Sequence, residues 1–374
     1  MFTLAPQDKQ YLTDSMGKVS RSFALVVAQL EEPLNLFLAT AYLICRVADN
    51  IEDSLRPISW QQQRFNEFGR LLQEPALAPE ILARWSREKW PGLSADEQNM
   101  MGLGGGARLW KIYGALPGPT QQSIFDWVSV MAQGMAQLEG ADAPPLTMRL
   151  NGIRLLVSEQ DYNRYCYFVA GTVGYLSTEL VVAHYEIGEG VAQRLYESCE
   201  ACGRGLQKTN IIKDFAEDLQ RQVCYLPATW LKEANYAPLA LEGAPRSWKQ
   251  RVIQDAQREL HQALDHVLTL PTNAVGYRKA SLMCLLPGLH TLLMAAQKVD
   301  SLFTSQHYVK ISRANMMQCL LESQSIWMDN DAISERCLAL EQAITTSLGR
   351  TPAFPWPDAA PVAVAPEPQE QVEA

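Results

Sequence analysis

The sequence has few of the residues that mark metal-binding or disulfide-rich proteins. It contains 8 cysteines and 5 histidines in 374 residues, without paired Cys-x-x-Cys or histidine-rich spacing. Because the cysteines are scattered, we expect reduced thiols in the core of a cytosolic protein, not a zinc centre or a disulfide framework. The net charge of −9 disfavours a nucleic-acid partner, since nucleic-acid-binding proteins present basic surfaces.

Long hydrophobic runs and targeting segments are also missing. No stretch reaches 18 uninterrupted apolar residues, so we expect no membrane-spanning helix. The segment Met1–Asp8 has no basic region followed by an apolar core, so we expect no signal peptide. From Arg350 onward the chain is rich in proline, alanine and acidic residues, and such a composition cannot build a core. We therefore predict one domain over residues 1–348 and a disordered tail over residues 349–374.

Helical periodicity runs through most of the chain, and the alternation typical of strands is almost absent. With 47% hydrophobic and 20% charged residues, the chain can bury a large core. The predicted fold is a single all-α domain with helices around a central cavity. Individual helices are predicted at residues 246–269 and 330–348, and Pro287 is expected to break an apolar helix over residues 277–298.

The stretch Gly205–Asp218 has an unusual polar face. Read as a helix, it spaces Gln207, Asn210, Asp214 and Asp218 by three, four and four residues, so these side chains share one face. Aspartates one turn apart repel each other unless a cation lies between them, and oxygen ligands suit a hard ion such as Mg²⁺. We call Asn210, Asp214 and Asp218 the second acidic ridge.

A first acidic ridge, formed by Asp49, Glu52 and Asp53, lies far upstream at the end of an apolar run. Its members are three and four residues apart, and Arg46 precedes Asp49 by three. One such cluster alone is most simply a solvated helix face. Two clusters facing each other across a cavity would instead hold several Mg²⁺ ions, and those ions would hold a diphosphate.

Three further segments allow both a structural and a functional interpretation. The glycine-rich Gly102–Ala107 has no preceding strand and no Gly-Lys-Ser/Thr ending, so we predict a turn or a tight helix crossing instead of a phosphate loop. Ser158 is a plausible helix N-cap with Asp161 three residues on, and further along that helix Gly171 and Gly174 leave room for a bulky ligand or for close helix packing. The loop Leu219–Pro227, beside the second acidic ridge, is a candidate lid.

These motifs resemble those of the squalene and phytoene synthase family over roughly residues 15–320, and within it the squalene-forming members most. Ser20-Arg-Ser-Phe23 resembles the family's substrate-pocket motif, and the two acidic ridges resemble its two aspartate-rich motifs. Tyr165–Gly171 is similar to the stretch that carries the tyrosine of the first half-reaction. Ser281–Pro287 resembles the pocket segment of the reductive step, and Val309–Arg313 a basic segment linked to NADPH.

The resemblance implies an isoprenoid-synthase-like helical bundle and a prenyltransferase. Two farnesyl diphosphates would condense head to head through presqualene diphosphate, and NADPH would reduce this intermediate to squalene. Tyr165 would carry the proton transfer that closes the cyclopropane. The Mg²⁺ ligands implied are Asp49, Glu52, Asp53, Asn210, Asp214 and Asp218, of which the four aspartates are also counted as catalytic. Substrate or cofactor binding is assigned to Ser20, Arg21, Phe23, Tyr42, Arg46, Gln207, Lys213, Lys310 and Arg313.

Some positions depart from the family pattern. Val223 stands where the family often has an arginine, with Arg221 two residues earlier. Ser312 takes the place of a second basic residue, which follows at Arg313, and Met283 stands where an aromatic residue is usual. The alternatives are a non-reductive relative that makes dehydrosqualene or phytoene, and a catalytically dead helical scaffold. We expect a cytoplasmic monomer, and peripheral membrane contact during release of an oily product is left open.

Overall fold

The computed structural model describes residues 2–137, 146–235, 237–304 and 309–349. Helices make up most of these residues, so the predicted all-α fold is confirmed. Residues 350–374, which contain nearly all of the predicted tail, lie outside the described residues.

Seventeen α-helices are defined in the described ranges, and a π-helical segment, Tyr167–Gly171, joins the ninth to the tenth. In chain order they are α1 (Pro6–Val19), α2 (Arg21–Val27), α3 (Leu34–Asp53), α4 (Ile58–Gln73), α5 (Ala78–Trp85), α6 (Ala95–Met100), α7 (Gly106–Gly114), α8 (Gly118–Gln137), α9 (Glu159–Cys166), α10 (Thr172–His184), α11 (Glu189–Lys213), α12 (Phe215–Gln220), α13 (Ala228–Ala234), α14 (Arg246–Thr269), α15 (Val275–Gln297), α16 (Arg313–Ile326) and α17 (Asn330–Leu348).

A small three-stranded sheet was not predicted. Strands β1 (Thr147–Leu150) and β2 (Ile153–Leu156) form an antiparallel hairpin, and β3 (Val223–Cys224) pairs in parallel with β2. The hairpin turn is Asn151-Gly152, with φ of 52° and 83°. Asn-Gly between two short strands is a strong signal for a two-residue hairpin. The sequence therefore indicated this hairpin, but the helical periodicity of the rest of the chain led to an all-helical prediction.

The predicted lid over Leu219–Pro227 is tied down by this sheet. Its residues Val223 and Cys224 form β3, and the Arg154 backbone N–H donates to the Gln222 carbonyl at 2.8 Å. Because these backbone groups are already paired with β2, the segment is a fixed wall beside the second acidic ridge and not a free loop.

Two helix predictions needed correction. The stretch Gly205–Asp218 is not one helix, since α11 ends at Lys213 and α12 begins at Phe215, with Asp214 at φ −99° and ψ 9° between them. The chain stays close to helical there, because the Asp218 N–H still donates to the Asp214 carbonyl at 3.0 Å. Pro287 does not break its helix, and α15 runs continuously through it.

Several local predictions are confirmed. The predicted helices at 246–269 and 330–348 match α14 and α17. Ser158 caps α9 in a complete capping box with Asp161. All eight cysteines are free thiols, six buried and two partly buried. The Gly102–Ala107 segment forms a turn into α7, where a β-carbon on Gly106 would meet the Met100 carbonyl oxygen at 2.4 Å, so glycine permits a tight approach.

Close packing of α10 on α11 explains the glycines of that region. A β-carbon at Gly174 would lie 2.1 Å from the Cys199 carbonyl oxygen, and one at Gly203 would lie 2.0 Å from the Ala170 carbonyl oxygen. These distances leave no space for a side chain. Of the two interpretations of Gly171 and Gly174, the described structure supports close helix packing.

Helix α11 is joined to α14 by a buried network of charges. Lys208 Nζ lies 2.8 Å from Asp255 Oδ2 and 2.9 Å from Glu259 Oε1. Arg204 contacts Glu259 at 2.9 Å and Glu200 at 3.1 Å, and all five side chains are buried. Since removal of one partner from a buried ion pair leaves an uncompensated charge, this network strongly specifies how α11 lies against α14.

By length and composition, three helical stretches are long and apolar enough to cross a membrane. The prediction of no membrane-spanning helix rested on the lack of an uninterrupted apolar run and did not identify them. They are Leu34–Asp53, Glu159–His184 and Val275–Gln297, and 72%, 50% and 67% of their apolar windows are buried inside the fold. Most of the first and third windows, and half of the second, are therefore packed inside this domain.

Replacing Gly174 tests the helix packing that positions α11. We expect Gly174→Ala to destabilise the protein by about 1–3 kcal/mol, because the added methyl group has no space. Urea unfolding measures the change. Gly17→Ala in α1 is the matched control, because a β-carbon there meets nothing within 4 Å, and it is expected to be neutral or stabilising by up to ~1 kcal/mol. Equal stability of the two variants would contradict the packing argument.

Candidate active site

The first acidic ridge lies at the C-terminal end of α3. The apolar side chains of α3 are buried, whereas Asp49, Glu52 and Asp53 are partly exposed. Arg46 Nη1 lies 3.6 Å from Asp49 Oδ2. The end of the helix is held by Gln61, whose Nε2 donates to the Glu52 and Ser54 carbonyls at 2.9 Å each.

The second acidic ridge runs across the break between α11 and α12. Asn210 lies in the last turn of α11, Asp214 occupies the break, and Asp218 lies in α12. Lys213 Nζ donates to Asn210 Oδ1 at 3.0 Å and lies 3.1 Å from Asp214 Oδ2. All members of the ridge are partly exposed.

The structure brings the two ridges to one cleft, although they are remote in the sequence. Arg221, one residue beyond α12, donates from Nη1 to Asp53 Oδ1 at 2.9 Å. Asp53 and Asp218 are also close enough for the charge of Asp53 to raise the pKa of Asp218. The Asp53 and Asp218 carboxylates therefore face a common space, as two ridges that share bound ions would require.

Burial and mutual repulsion perturb three of these carboxyl groups. Burial raises the pKa of Glu52 to about 8, with Asp53, Asp49 and Asp218 adding to the rise and Arg154 opposing it. Burial likewise raises the pKa of Asp49 to about 6, opposed by Arg46. The pKa of Asp218 rises to about 7 through burial and the neighbouring Asp214. The cleft therefore favours protons or other cations on its carboxylates.

The described residues contain no preassembled group of three or more acidic, histidine or cysteine side chains arranged to hold a metal ion. Arg46, Lys213 and Arg221 each pair with one carboxylate of the ridges. The donor set nevertheless fits Mg²⁺, because it consists of carboxylate and amide oxygens. In addition, Glu52 Oε1 is buried without a hydrogen-bond partner, so this oxygen can serve as a metal ligand without losing a hydrogen bond.

The predicted substrate-pocket motif connects to the first acidic ridge through aromatic rings. Phe23 of α2 stacks on Tyr42 of α3 with ring centroids 5.0 Å apart. Arg46 Nη2 donates to Tyr42 Oη at 3.1 Å, and its guanidinium lies 5.9 Å from that ring. Ser20 caps α2 by accepting from the Phe23 N–H at 3.4 Å. The motif therefore starts a helix, and its role in a substrate pocket stays a prediction.

Four other predicted binding residues lie away from these contacts. Arg21 is exposed in the first turn of α2, and Gln207 is partly exposed on α11. Lys310, three residues before α16, and Arg313, its first residue, are both exposed, and Ser312 serves as the N-cap of that helix. The contacts described for the two ridges do not include Lys310 or Arg313, so their predicted link to a cofactor stays a prediction.

Tyr165 of α9 is buried beside the ridges. Its ring stacks on Tyr225 with centroids 4.6 Å apart and an interplanar angle of 14°. Burial raises the pKa of Tyr165 well above its usual value, and the charges of Glu52 and Asp218 raise it further. The hydroxyl group therefore keeps its proton at neutral pH and lies close to both acidic ridges.

Sequence reasoning missed Arg154 and Tyr225 as site residues. Arg154 lies on β2 and its charge acts on Glu52, while Tyr225 follows β3 and stacks on Tyr165. Both reach the cleft through the sheet that was not predicted. The Asn151-Gly152 turn was the signal that could have placed Arg154 on a hairpin.

The cleft beside Glu52 is narrow. Its cavity measures about 10 Å³ and is lined by residues of α3, α4, α8 and β2. Phe168 fills part of the nearby space, since a β-carbon on Gly134 of α8 would lie 2.0 Å from its ring. A larger cleft of about 380 Å³ lies between α1, α6 and α7 and contains none of the predicted site residues.

Comparison with known protein families gives a match over most of the chain. The family model described as squalene/phytoene synthase matches residues 16–314. The squalene synthase of Saccharomyces cerevisiae is 28% identical over 317 residues, covering 83% of this chain and 66% of that protein. A bifunctional lycopene cyclase/phytoene synthase of Arthroderma gypseum is 32% identical over 133 residues, covering 34% of this chain and 22% of that protein. The chain spans 66% of the length of the yeast squalene synthase.

Solved structures show the same fold. A ligand complex of TcSQS, a squalene synthase, has a TM-score of 0.72 at 21% identity and covers 90% of this chain and 91% of that chain. A dehydrosqualene synthase has a TM-score of 0.53 at 20% identity, covering 85% of this chain and 96% of its own. At these identities the likeness shows the isoprenoid-synthase-like helical fold alone.

The perturbed carboxyl groups predict a pH-dependent response to Mg²⁺. A carboxyl group whose pKa is raised by folding loses its stabilising contribution as pH rises through the folded-state pKa. The metal-free protein should therefore lose stability as pH rises from about 4, near the ordinary pKa of these groups, to about 8, where Glu52 ionises in the folded state. Mg²⁺ must displace those protons, so its affinity should rise by up to ~10-fold per pH unit for each proton displaced.

Thermal melting with and without Mg²⁺ at pH 6 and pH 8 measures both effects. Glu52→Gln should flatten the pH dependence, because it removes the group with the highest pKa of the three. Glu335→Gln, at an exposed position of α17, is the matched control and should behave as the unaltered protein does. A Mg²⁺ response that is the same at both pH values would contradict the assignment of these carboxylates as metal ligands.

Proposed function

We propose that this chain, which belongs to the squalene/phytoene synthase family, condenses two farnesyl diphosphates head to head to presqualene diphosphate and reduces this intermediate with NADPH to squalene. The observation that carries the proposal is the meeting of two acidic ridges in one cleft backed by apolar helices. The match to the squalene synthase of Saccharomyces cerevisiae supports the squalene-forming branch of the family.

The two ridges supply the ligands for Mg²⁺. When bound there, Mg²⁺ would neutralise the charge of a leaving diphosphate. Asn210 contributes an amide oxygen, and five carboxylates contribute the rest, namely Asp49, Glu52, Asp53, Asp214 and Asp218. In the described structure basic side chains balance part of this charge, so the same side chains are available to a diphosphate once a metal binds the carboxylates. Arg46 and Lys213 are suited to this role because charge-assisted hydrogen bonds to phosphate oxygens are strong.

Tyr165 is suited to proton transfer at the cyclopropane-forming step. It is buried and lies near Glu52 and Asp218. Ring closure releases a proton from the substrate, so the phenol would relay it: the oxygen takes up the substrate proton as its own proton passes to a neighbouring carboxylate or to the diphosphate. The Tyr225 ring stacked on it fixes the orientation of the phenol. Aromatic rings such as Phe23 stabilise a nearby carbocation through their π faces, and the surrounding apolar helices exclude the water that would trap it.

The reductive step is assigned to Lys310 and Arg313, whose charges suit the phosphate groups of NADPH. A second candidate function is the non-reductive synthesis of dehydrosqualene or phytoene. The observation in its favour is that Lys310 and Arg313 lie at the exposed start of α16, outside the contacts described for the ridges. A dead scaffold is disfavoured, because a protein without catalysis has no reason to crowd repelling carboxylates into one cleft.

Product analysis distinguishes the two enzymatic candidates. The protein is incubated with farnesyl diphosphate and Mg²⁺, with and without NADPH, and the products are identified by mass. We expect presqualene diphosphate without NADPH and squalene with it. A product that is dehydrosqualene under both conditions would assign the chain to the non-reductive branch, and no condensation under either condition would refute the proposed function.

Tyr165→Phe tests the role of the phenol. Removing a general acid or base typically costs about 10²–10⁴-fold in rate, so we expect the formation of presqualene diphosphate to slow by at least ~100-fold while the protein stays folded. Tyr167→Phe is the matched control, since Tyr167 is also buried and packs against Phe168 at 5.4 Å. Unchanged turnover in Tyr165→Phe would remove this residue from the mechanism.

A further inference from the structure

We infer that Arg221 is a displaceable counter-ion of the first acidic ridge, which Mg²⁺ releases from Asp53 so that its guanidinium binds the diphosphate. The identity of the anion rests on the proposed function. The inference adds a binding residue to the site at a position where the family resemblance leads one to expect none.

Arg221 is placed so that it can change partners. Its Nη1 donates to Asp53 Oδ1 at 2.9 Å, yet 47% of its side chain is exposed. Its backbone is fixed, because its N–H donates to the Asp218 carbonyl at 3.0 Å at the end of α12. With the backbone held and the side chain partly exposed to solvent, the guanidinium can exchange one nearby anion for another at little cost, since exposed ion pairs are weak.

This pair differs from the other basic contacts of the cleft. Arg46 pairs with Asp49 on its own helix, and Lys213 pairs with Asp214 next to it in the chain. Arg221 instead reaches from the second acidic ridge across the cleft to the first. Because Asp53 Oδ1 already accepts from Arg221, a metal ion that took this oxygen as a ligand would compete with the guanidinium for it.

The freed guanidinium then has a defined use. A metal-bound diphosphate places negative oxygens at the same cleft, and arginine binds such oxygens in a bidentate manner. The position two residues on, where the family often has an arginine, is Val223, which has no donor on its side chain and lies in β3 opposite Arg154. Arg221 therefore supplies the positive charge that Val223 lacks.

Calorimetric titration of the full chain tests the inference without measuring turnover. The ligands are Mg²⁺ alone, and inorganic pyrophosphate in the presence of Mg²⁺. Removal of a competing cation should tighten Mg²⁺ binding by Arg221→Gln about 2–5-fold. Loss of a charge-assisted hydrogen bond should weaken its pyrophosphate binding by at least ~10-fold. A merely misfolded site would weaken both, so the opposite signs are diagnostic.

Two further variants serve as controls. Arg108→Gln removes an arginine that pairs with Asp8 at 2.8 Å on the remote α7, and both affinities should stay unchanged. Arg221→Lys keeps the charge without the planar fork, so it should recover part of the pyrophosphate affinity. Unchanged Mg²⁺ or pyrophosphate affinity in Arg221→Gln would overturn the inference. Failure of the unaltered protein to bind pyrophosphate with Mg²⁺ would instead overturn the proposed function, and the inference with it.

Discussion

Repulsion among the five carboxylates that share one cleft is the constraint on which this structure depends. Such a cluster is costly unless its charge is balanced, because nearby like charges and burial both disfavour ionisation. The protein balances it in two ways. Basic side chains, including Arg46, Lys213 and Arg221, pair with individual carboxylates, and the raised pKa values of Asp49, Glu52 and Asp218 favour protonation. The free-energy cost of crowding these carboxylates is offset when the cleft binds cations and, through them, an anionic substrate.

The remainder of the fold holds the two ridges in place against that repulsion. Glycines let α10 approach α11 closely, and the buried network around Lys208 specifies how α11 lies on α14. The loss of one partner from such a network typically costs about 3–5 kcal/mol. At the other side of the cleft, the three-stranded sheet carries Arg154 and leads directly into Tyr225. The second acidic ridge is therefore supported on one side by helix packing and on the other by the sheet.

Membership of the squalene/phytoene synthase family and the helical fold are shown by the comparisons, whereas the choice of product within the family depends on chemistry that fold likeness does not decide. The predicted Mg²⁺ ligands and Tyr165 lie at the cleft, whereas Lys310 and Arg313 are exposed just before and at the start of α16.

The sequence by itself determined the helical class, the boundaries of α14 and α17 and the composition of both acidic ridges, because side-chain periodicity and spacing are local properties of a helix. It also indicated that Asp214 and Asp218 repel each other, since a spacing of four residues places them one turn apart. Only the tertiary structure decided that Arg221 reaches Asp53, that Tyr225 stacks on Tyr165 and that Arg154 acts on Glu52. These contacts join segments far apart in the chain, and their geometry depends on how α3, α9, α12 and the small sheet pack together, which no local pattern encodes.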